Sequence, residues 1–186
     1  MDDVMIIDLY WARSESAIRE TAAKYGKYCN TIAINILRDR EDADECVNDT
    51  YLKVWNAIPP ERPAVFSAFV GKITRNLSLN KYKKQRAQKR GGGEVTLILD
   101  ELEGCIPSTS GVESAWESDI MIEAINAFLR SIDTPERIVF VRRYWYADSI
   151  VSIAVRFRMR ESKVKSMLYR TRSKFRVFLE KEGIMI

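Results

Sequence analysis

Apolar positions recur every three to four residues along most of this chain, and that spacing predicts helices almost throughout. Over residues 6–37, Ile18, Ala22, Tyr25, Cys29, Ile32, Ala33 and Ile36 keep the helical period, and Gly26 marks the place for a bend or split. Arg38, Asp39 and Arg40 make a polar break. A second helix is expected from about Glu41 to Ile58, with Ala43, Val47, Thr50, Val54 and Ile58 facing inward. Pro59, Pro60 and Pro63 stop it. A third helix, roughly Val65 to Lys89, turns Phe66, Phe69, Val70, Ile73 and Leu77 inward and Lys72, Arg75, Asn76, Asn80, Lys83 and Arg86 outward. Further on, Met121, Ile125, Phe128, Leu129 and Ile132 form another stripe. Thr134 and Pro135 read as the cap and first residue of the next helix, which Ile138, Val141 and Trp145 continue. No segment alternates as a half-buried strand does, so the expected fold is all-α.

The end of the chain predicts a helix-turn-helix. Ile150, Ile153, Ala154 and Phe157 form the inner stripe of a short helix, with Asp148 or Ser149 placed to cap it. A break at Arg158, Met159 and Arg160 precedes a longer helix from Glu161, whose inward positions are Val164, Leu168, Thr171, Phe175 and Phe178. Its other faces carry Lys163, Lys165, Arg170, Arg172, Lys174 and Arg176, and from Arg156 to Arg176 the only acid is Glu161. A helix with one apolar stripe and a cationic remainder suits the major groove of DNA. The bland alternative is a solvated basic face.

Charge is unevenly placed. The 186 residues carry 30 Lys and Arg against 26 Asp and Glu, a net +4 that hides the pattern. Lys81 to Arg90 holds six cations and no acid, interleaved with Tyr82 and amides, which suits phosphate contacts and base stacking. Asp42, Glu45 and Asp49 share an outer helix face with Asn48 and Leu52 beside it, and the bland reading is again solvation. Residues 91–119 hold seven acids and no Lys or Arg, and are broken by Gly, Pro and Ser. The expected organisation is an N-terminal helical domain over 1–90, an acidic flexible linker over 91–115 with a short ordered piece near Val95 to Leu102, and a C-terminal helix-turn-helix domain over 116–186.

The chain has no histidine, which removes the commonest general base and the usual catalytic zinc ligands. Gly91, Gly92 and Gly93 lack the Lys and Ser/Thr of a phosphate loop. Cys29, Cys46 and Cys105 are too widely spaced for a metal pattern and read as reduced thiols, the first two on core stripes. The first residues lack a basic segment followed by an apolar run, and no run approaches a membrane span. A cytoplasmic, non-enzymatic chain is expected, with no catalytic residue, metal, cofactor, small-molecule substrate or membrane contact.

The segments Asp42 to Trp55, Phe69 to Leu77 and Glu161 to Arg172 together resemble the bacterial RNA polymerase sigma factors of the extracytoplasmic-function type, the small two-domain group. The likeness covers about residues 6–90 and 116–182. It implies that Asp44, Glu45, Asn48, Asp49 and Leu52 dock on core RNA polymerase. It implies that Lys72, Arg75, Asn76, Asn80, Lys83 and Lys84 contact a minus-ten promoter element as it opens, with the loop Asn56 to Phe66 rimming the pocket for a flipped base. It implies that Arg160, Ser162, Lys163, Lys165, Ser166 and Arg170 contact a minus-thirty-five element. An anti-sigma factor is a further partner that the family admits.

Five positions depart from that family's pattern. Arg158 stands where the turn usually has Gly, and Arg160 where a Ser usually caps the recognition helix. Val151 and Ser152 replace usual acids, and Asn80 a common Asp. The reading is a factor that directs promoter-specific initiation and assists promoter opening. The alternative is a helix-turn-helix repressor or activator that does not dock on polymerase.

Overall fold

The computed structural model describes residues 1–88, Ile98, Glu101 and residues 119–184. All elements among the described residues are helical, with no strand, as the periodicity predicts. The chain divides into two compact units, Met1–Gly91 and Gly92–Ile186.

In the first unit α1 (Asp3–Trp11) packs on α2 (Ser16–Leu37), which lies against α3 (Arg40–Ala57) and α4 (Phe66–Gln88); α3 and α4 also touch. The expected stripes are inside: Cys29, Ile32, Ala33, Ile36, Ala43, Val47, Val54, Ile58, Phe66 and Val70 are buried. Phe69, Ile73 and Leu77 are only half-buried, and the deepest positions of α4 include Thr74, Ser78 and Leu79. Those hydroxyls return their protons to the helix they sit on, Thr74 to the Val70 carbonyl at 2.9 Å and Ser78 to the Thr74 carbonyl at 2.8 Å, so their burial leaves no open donor.

The break expected at Gly26 is absent; α2 runs straight through it. Position 26 needs a small residue for packing: a Cβ there would stand 3.3 Å from Tyr51 Oη on α3. Gly71 has the same role more strictly, because a Cβ would overlap the Tyr28 ring. The chain breaks instead between α1 and α2, where Arg13 is left-handed at φ 52°. Arg13 Nη1 donates to the Trp55 carbonyl at 2.7 Å and its guanidinium lies 5.3 Å from the Trp55 ring centre, which fixes the turn. Between α2 and α3, Arg38 ends one helix in the left-handed region and Asp39 caps the next by accepting from Asp42 N at 3.0 Å.

The second unit contains α5 (Asp119–Ser131), α6 (Thr134–Tyr144), α7 (Ile150–Phe157) and α8 (Glu161–Lys181). Its core is an aromatic cluster around Phe128, whose ring centre is 4.8 Å from Phe175, 5.6 Å from Phe178 and 5.8 Å from Phe140. Two sequence expectations shift here. Thr134 is the first residue of α6 and Asp133 holds the cap position, a displacement of one residue. The buried face of α6 is Val139, Phe140, Arg143 and Tyr144, whereas Ile138 is exposed and Val141 and Trp145 half-buried. An apolar-stripe argument points a cation outward, and Arg143 points inward.

Ile98 and Glu101, within the stretch expected to be a linker, are helical and belong to the second unit. The remainder of 91–115, Cys105 and Trp116 lie outside the described residues.

Candidate nucleic-acid and partner surfaces

Three surfaces carry the expected chemistry. The first is the outer face of α3. Asp44, Glu45, Asn48, Asp49 and Leu52 are all exposed, and Leu52 leaves 57% of its surface open at the centre of an otherwise polar face. An open Leu amid carboxylates is what a partner with basic and apolar groups engages. Asp44 Oδ1 accepts from Asn30 Nδ2 at 2.9 Å, which ties this face to α2.

Asp42 differs from the others. It is half-buried, lies 2.7 Å from Lys81 Nζ and accepts from Gln85 Nε2 at 2.6 Å. Lys81 also donates to Glu45 Oε2 at 2.6 Å. Burial opposes the charge on Lys81, but the two carboxylates win and hold its pKa above the ordinary lysine range. Lys81 is thus subtracted from the basic surface of α4 and spent on the junction between α3 and α4. The sequence counted it with the DNA-facing cations, because a charge pair between two helices has no signature along one of them.

The second surface is the outer side of α4. Lys72, Asn80, Lys83 and Lys84 are exposed. Arg75 and Asn76, expected outside, are half-buried, so each offers only part of its side chain to the surface. Position 86 falls where side chains are outside the described residues. The loop before α4 is fastened to α1: Arg62 pairs with Asp8, and its guanidinium lies 5.9 Å from the Trp11 ring centre. Beneath the loop, Tyr10 sits 6.1 Å from Trp55 and 6.0 Å from Phe66, ring centre to ring centre. The segment Asn56 to Phe66 therefore starts and ends on a fixed aromatic base.

The third surface is the helix-turn-helix of α7 and α8. Ser149 caps α7, accepting from Ser152 N at 3.0 Å, and this decides between the two expected caps. Arg158 occupies the left-handed region at φ 52° and ψ 44°, the conformation that a Gly would take without strain. Arg160 stands at the cap of α8 and makes no side-chain cap bond. Arg160, Ser162, Lys163, Lys165, Ser166 and Arg170 are exposed together along the first half of α8. Among the described residues Arg156, Arg158, Arg160, Lys163 and Lys165 make no ion pair.

Three cations of the second half of α8 are engaged within the protein. Lys174 pairs with Glu136 of α6 at 2.8 Å, Arg176 with Glu180 at 3.3 Å, and Arg172 reaches Glu101 at 3.5 Å. The cations of α8 without an ion-pair partner among the described residues therefore concentrate toward the helix start. Sequence reasoning also passed over Tyr169, 67% exposed and one turn beyond Lys165 and Ser166 on the outward ridge. Plotting all exposed positions on the helix, rather than only the charged ones, would have found it.

Neither buried thiol belongs to these surfaces. Burial pushes Cys29 and Cys46 above the usual thiol range, and hydroxyls of Thr74 and Ser78 face them. No helix among the described residues is long and apolar enough to cross a membrane.

Comparison with known proteins bears on the first unit. No curated protein matches the chain. A solved structure of CnrH in complex with the cytosolic domain of CnrY is similar at 19% identity and a TM-score of 0.45, over 96% of this chain and 97% of that one. Residues 22–88, which run from within α2 to the end of α4, match the family described as sigma-70 region 2. That match spans the helices that present the acidic face and the basic face.

Proposed function

We propose that this protein is a sigma factor of the extracytoplasmic-function type, which binds core RNA polymerase, directs it to a small set of promoters and assists strand opening. One observation carries the reading: the sigma-70 region 2 match spans both the open acidic face of α3 and the basic face of α4. A regulator that ignores polymerase has no use for the first of these.

In this reading Asp44, Glu45, Asn48, Asp49 and Leu52 dock on core polymerase. Lys72, Arg75, Asn76, Asn80, Lys83 and Lys84 hold the minus-ten strand once its bases leave the stack, a step that costs a few kcal/mol per base. The exposed first half of α8 reads the minus-thirty-five element, with Ser162, Lys163 and Ser166 nearest base edges and Arg170 nearest phosphate. The chain itself performs no bond chemistry; that belongs to the polymerase. It acts in the cytoplasm, and an anti-sigma factor would compete for the same surfaces.

The test is co-elution with purified core polymerase, followed by permanganate mapping of unpaired thymines on DNA that the complex selects. Co-elution with an opened stretch upstream of a transcript start supports the reading. Sequence-selective DNA binding with no polymerase retention favours the helix-turn-helix repressor or activator instead.

A further inference from the structure

One carboxylate ties the helix-turn-helix together from outside it. Glu101 Oε1 accepts from Arg143 Nη2 at 2.9 Å. Its Oε2 accepts from Tyr144 Oη at 3.0 Å and Arg143 Nε at 3.3 Å, and lies 3.5 Å from Arg172 Nη1. Arg172 Nη1 also donates to Tyr144 Oη at 2.8 Å, so the four side chains form one closed network. Arg143 is fully buried, and its Nη1 donates to the Asp148 carbonyl at 3.0 Å, just before the cap of α7. Ile98, three residues before Glu101, is buried as well. The network thus reaches α6, the entry to α7, and α8.

Arg143 needs this partner. A guanidinium with no exposed surface is held only where a counter-charge and hydrogen bonds replace its water. Asp148 gives it a carbonyl acceptor, and the Asp148 carboxylate pairs with Arg142. Glu101 supplies a counter-charge, and in doing so it also fixes Arg172 on α8.

The turn between α7 and α8 specifies its own geometry weakly. Arg158 is in the left-handed region without being Gly, and Arg160 does not cap. The angle between the two helices then depends on contacts made elsewhere. We infer that Glu101 is a positioning residue for DNA reading, which sets α8 against α7 through Arg172 and through Arg143 and the Asp148 carbonyl. This rests on the reading of the second unit as a DNA reader. Base-edge contacts tolerate far smaller displacements than phosphate contacts, which follow charge. Loss of Glu101 should therefore reduce discrimination between sequences before it reduces affinity for DNA as such.

The test uses the full chain with core polymerase, and a duplex that the wild-type complex selects from a randomised pool. Glu101→Gln is compared with wild type on that duplex and on a random duplex of equal length, at a temperature where near-UV circular dichroism shows both folded. The expected result is a loss of about tenfold on the selected duplex, the size of one base contact, with the random duplex and the salt slope nearly unchanged. Tyr144→Phe, which removes the two hydrogen bonds of the Tyr144 hydroxyl and leaves every charge, should show a smaller loss of the same kind and serves if Glu101→Gln does not fold. Unchanged discrimination in a folded variant overturns the inference. So does a rise on both duplexes, which would make Glu101 an electrostatic screen. If the wild-type complex selects no sequence, the reading of the unit as a DNA reader falls, and the inference with it.

Discussion

Lys81 Nζ on α4 lies 2.6 Å from Glu45 Oε2 on α3, so the acidic face and the basic helix are joined by an ion pair rather than merely adjacent. Glu45 keeps 67% of its side chain open and can still meet a partner. Replacing Glu45 by a cation would set two positive charges against each other and disturb the fold as well as the docking face. Asp49→Lys with Leu52→Ala is the cleaner variant, since both positions are exposed. We expect it to lose core-polymerase retention on a sizing column while its thermal midpoint stays within about 2 °C, as surface changes do. Normal retention would remove this face from the docking role.

Along α8, Lys163→Ala should weaken binding to a selected promoter duplex by about 1–3 kcal/mol, with less effect on random DNA, because it sits near the helix start where base edges are in reach. Arg170→Ala, about two turns further on, should weaken both alike and reduce the salt slope by about one. Quantitative binding at two or more salt concentrations separates the two. Equal losses on both duplexes for Lys163→Ala would make it a phosphate contact only.

The turn offers a stability test. Arg158 is left-handed and Arg160 leaves the first amides of α8 without a side-chain acceptor. Arg158→Gly should stabilise the second unit by about 1 kcal/mol. Arg160→Ser should add about 0.5–2 kcal/mol through a cap bond. Both appear as a higher urea midpoint of the second unit with an unchanged slope. A lower midpoint for Arg158→Gly would mean that the Arg side chain supports the turn by packing.

Cys29 and Cys46 are buried and their pKa values are raised by that burial. Cys29 and Cys46 should therefore resist a thiol reagent in the native chain and react only when it unfolds. A folded pKa above the unfolded one means that the stabilising contribution is full below the unfolded thiol value of about 8.5 and fades as pH rises past it. The urea midpoint of the first unit should fall between about pH 8.5 and pH 10. A Cys29→Ala, Cys46→Ala variant should lose that slope.

Much of this was legible in the sequence, and the misses share a cause. The stripes Ala43–Val47–Thr50–Val54 and Val164–Leu168–Thr171–Phe175 are where periodicity put them, because burial of apolar area dominates helix packing. Periodicity also put Ile138, which is exposed, on the inner face of α6, and it gives no account of polar residues whose partners are remote in sequence. Arg143 faces inward because Glu101, 42 positions away, supplies its counter-charge. Lys81 is drawn into the junction with α3 because Asp42 and Glu45 are held one helix away. Gly26 looks like a helix breaker and is a close-packing site, since only the tertiary neighbour Tyr51 explains it. Glu101 sat in a stretch whose composition outweighed any single residue. Local patterns carry stripes and caps; they do not carry pairings between elements.

Run-off transcription with purified core polymerase on genomic DNA tests the central claim most directly. The account predicts that adding the chain yields discrete new transcripts whose upstream regions share two spaced sequence elements, and that Asp49→Lys with Leu52→Ala abolishes them. No change in the transcripts on adding the wild-type chain, or the same transcripts from that variant, would contradict it.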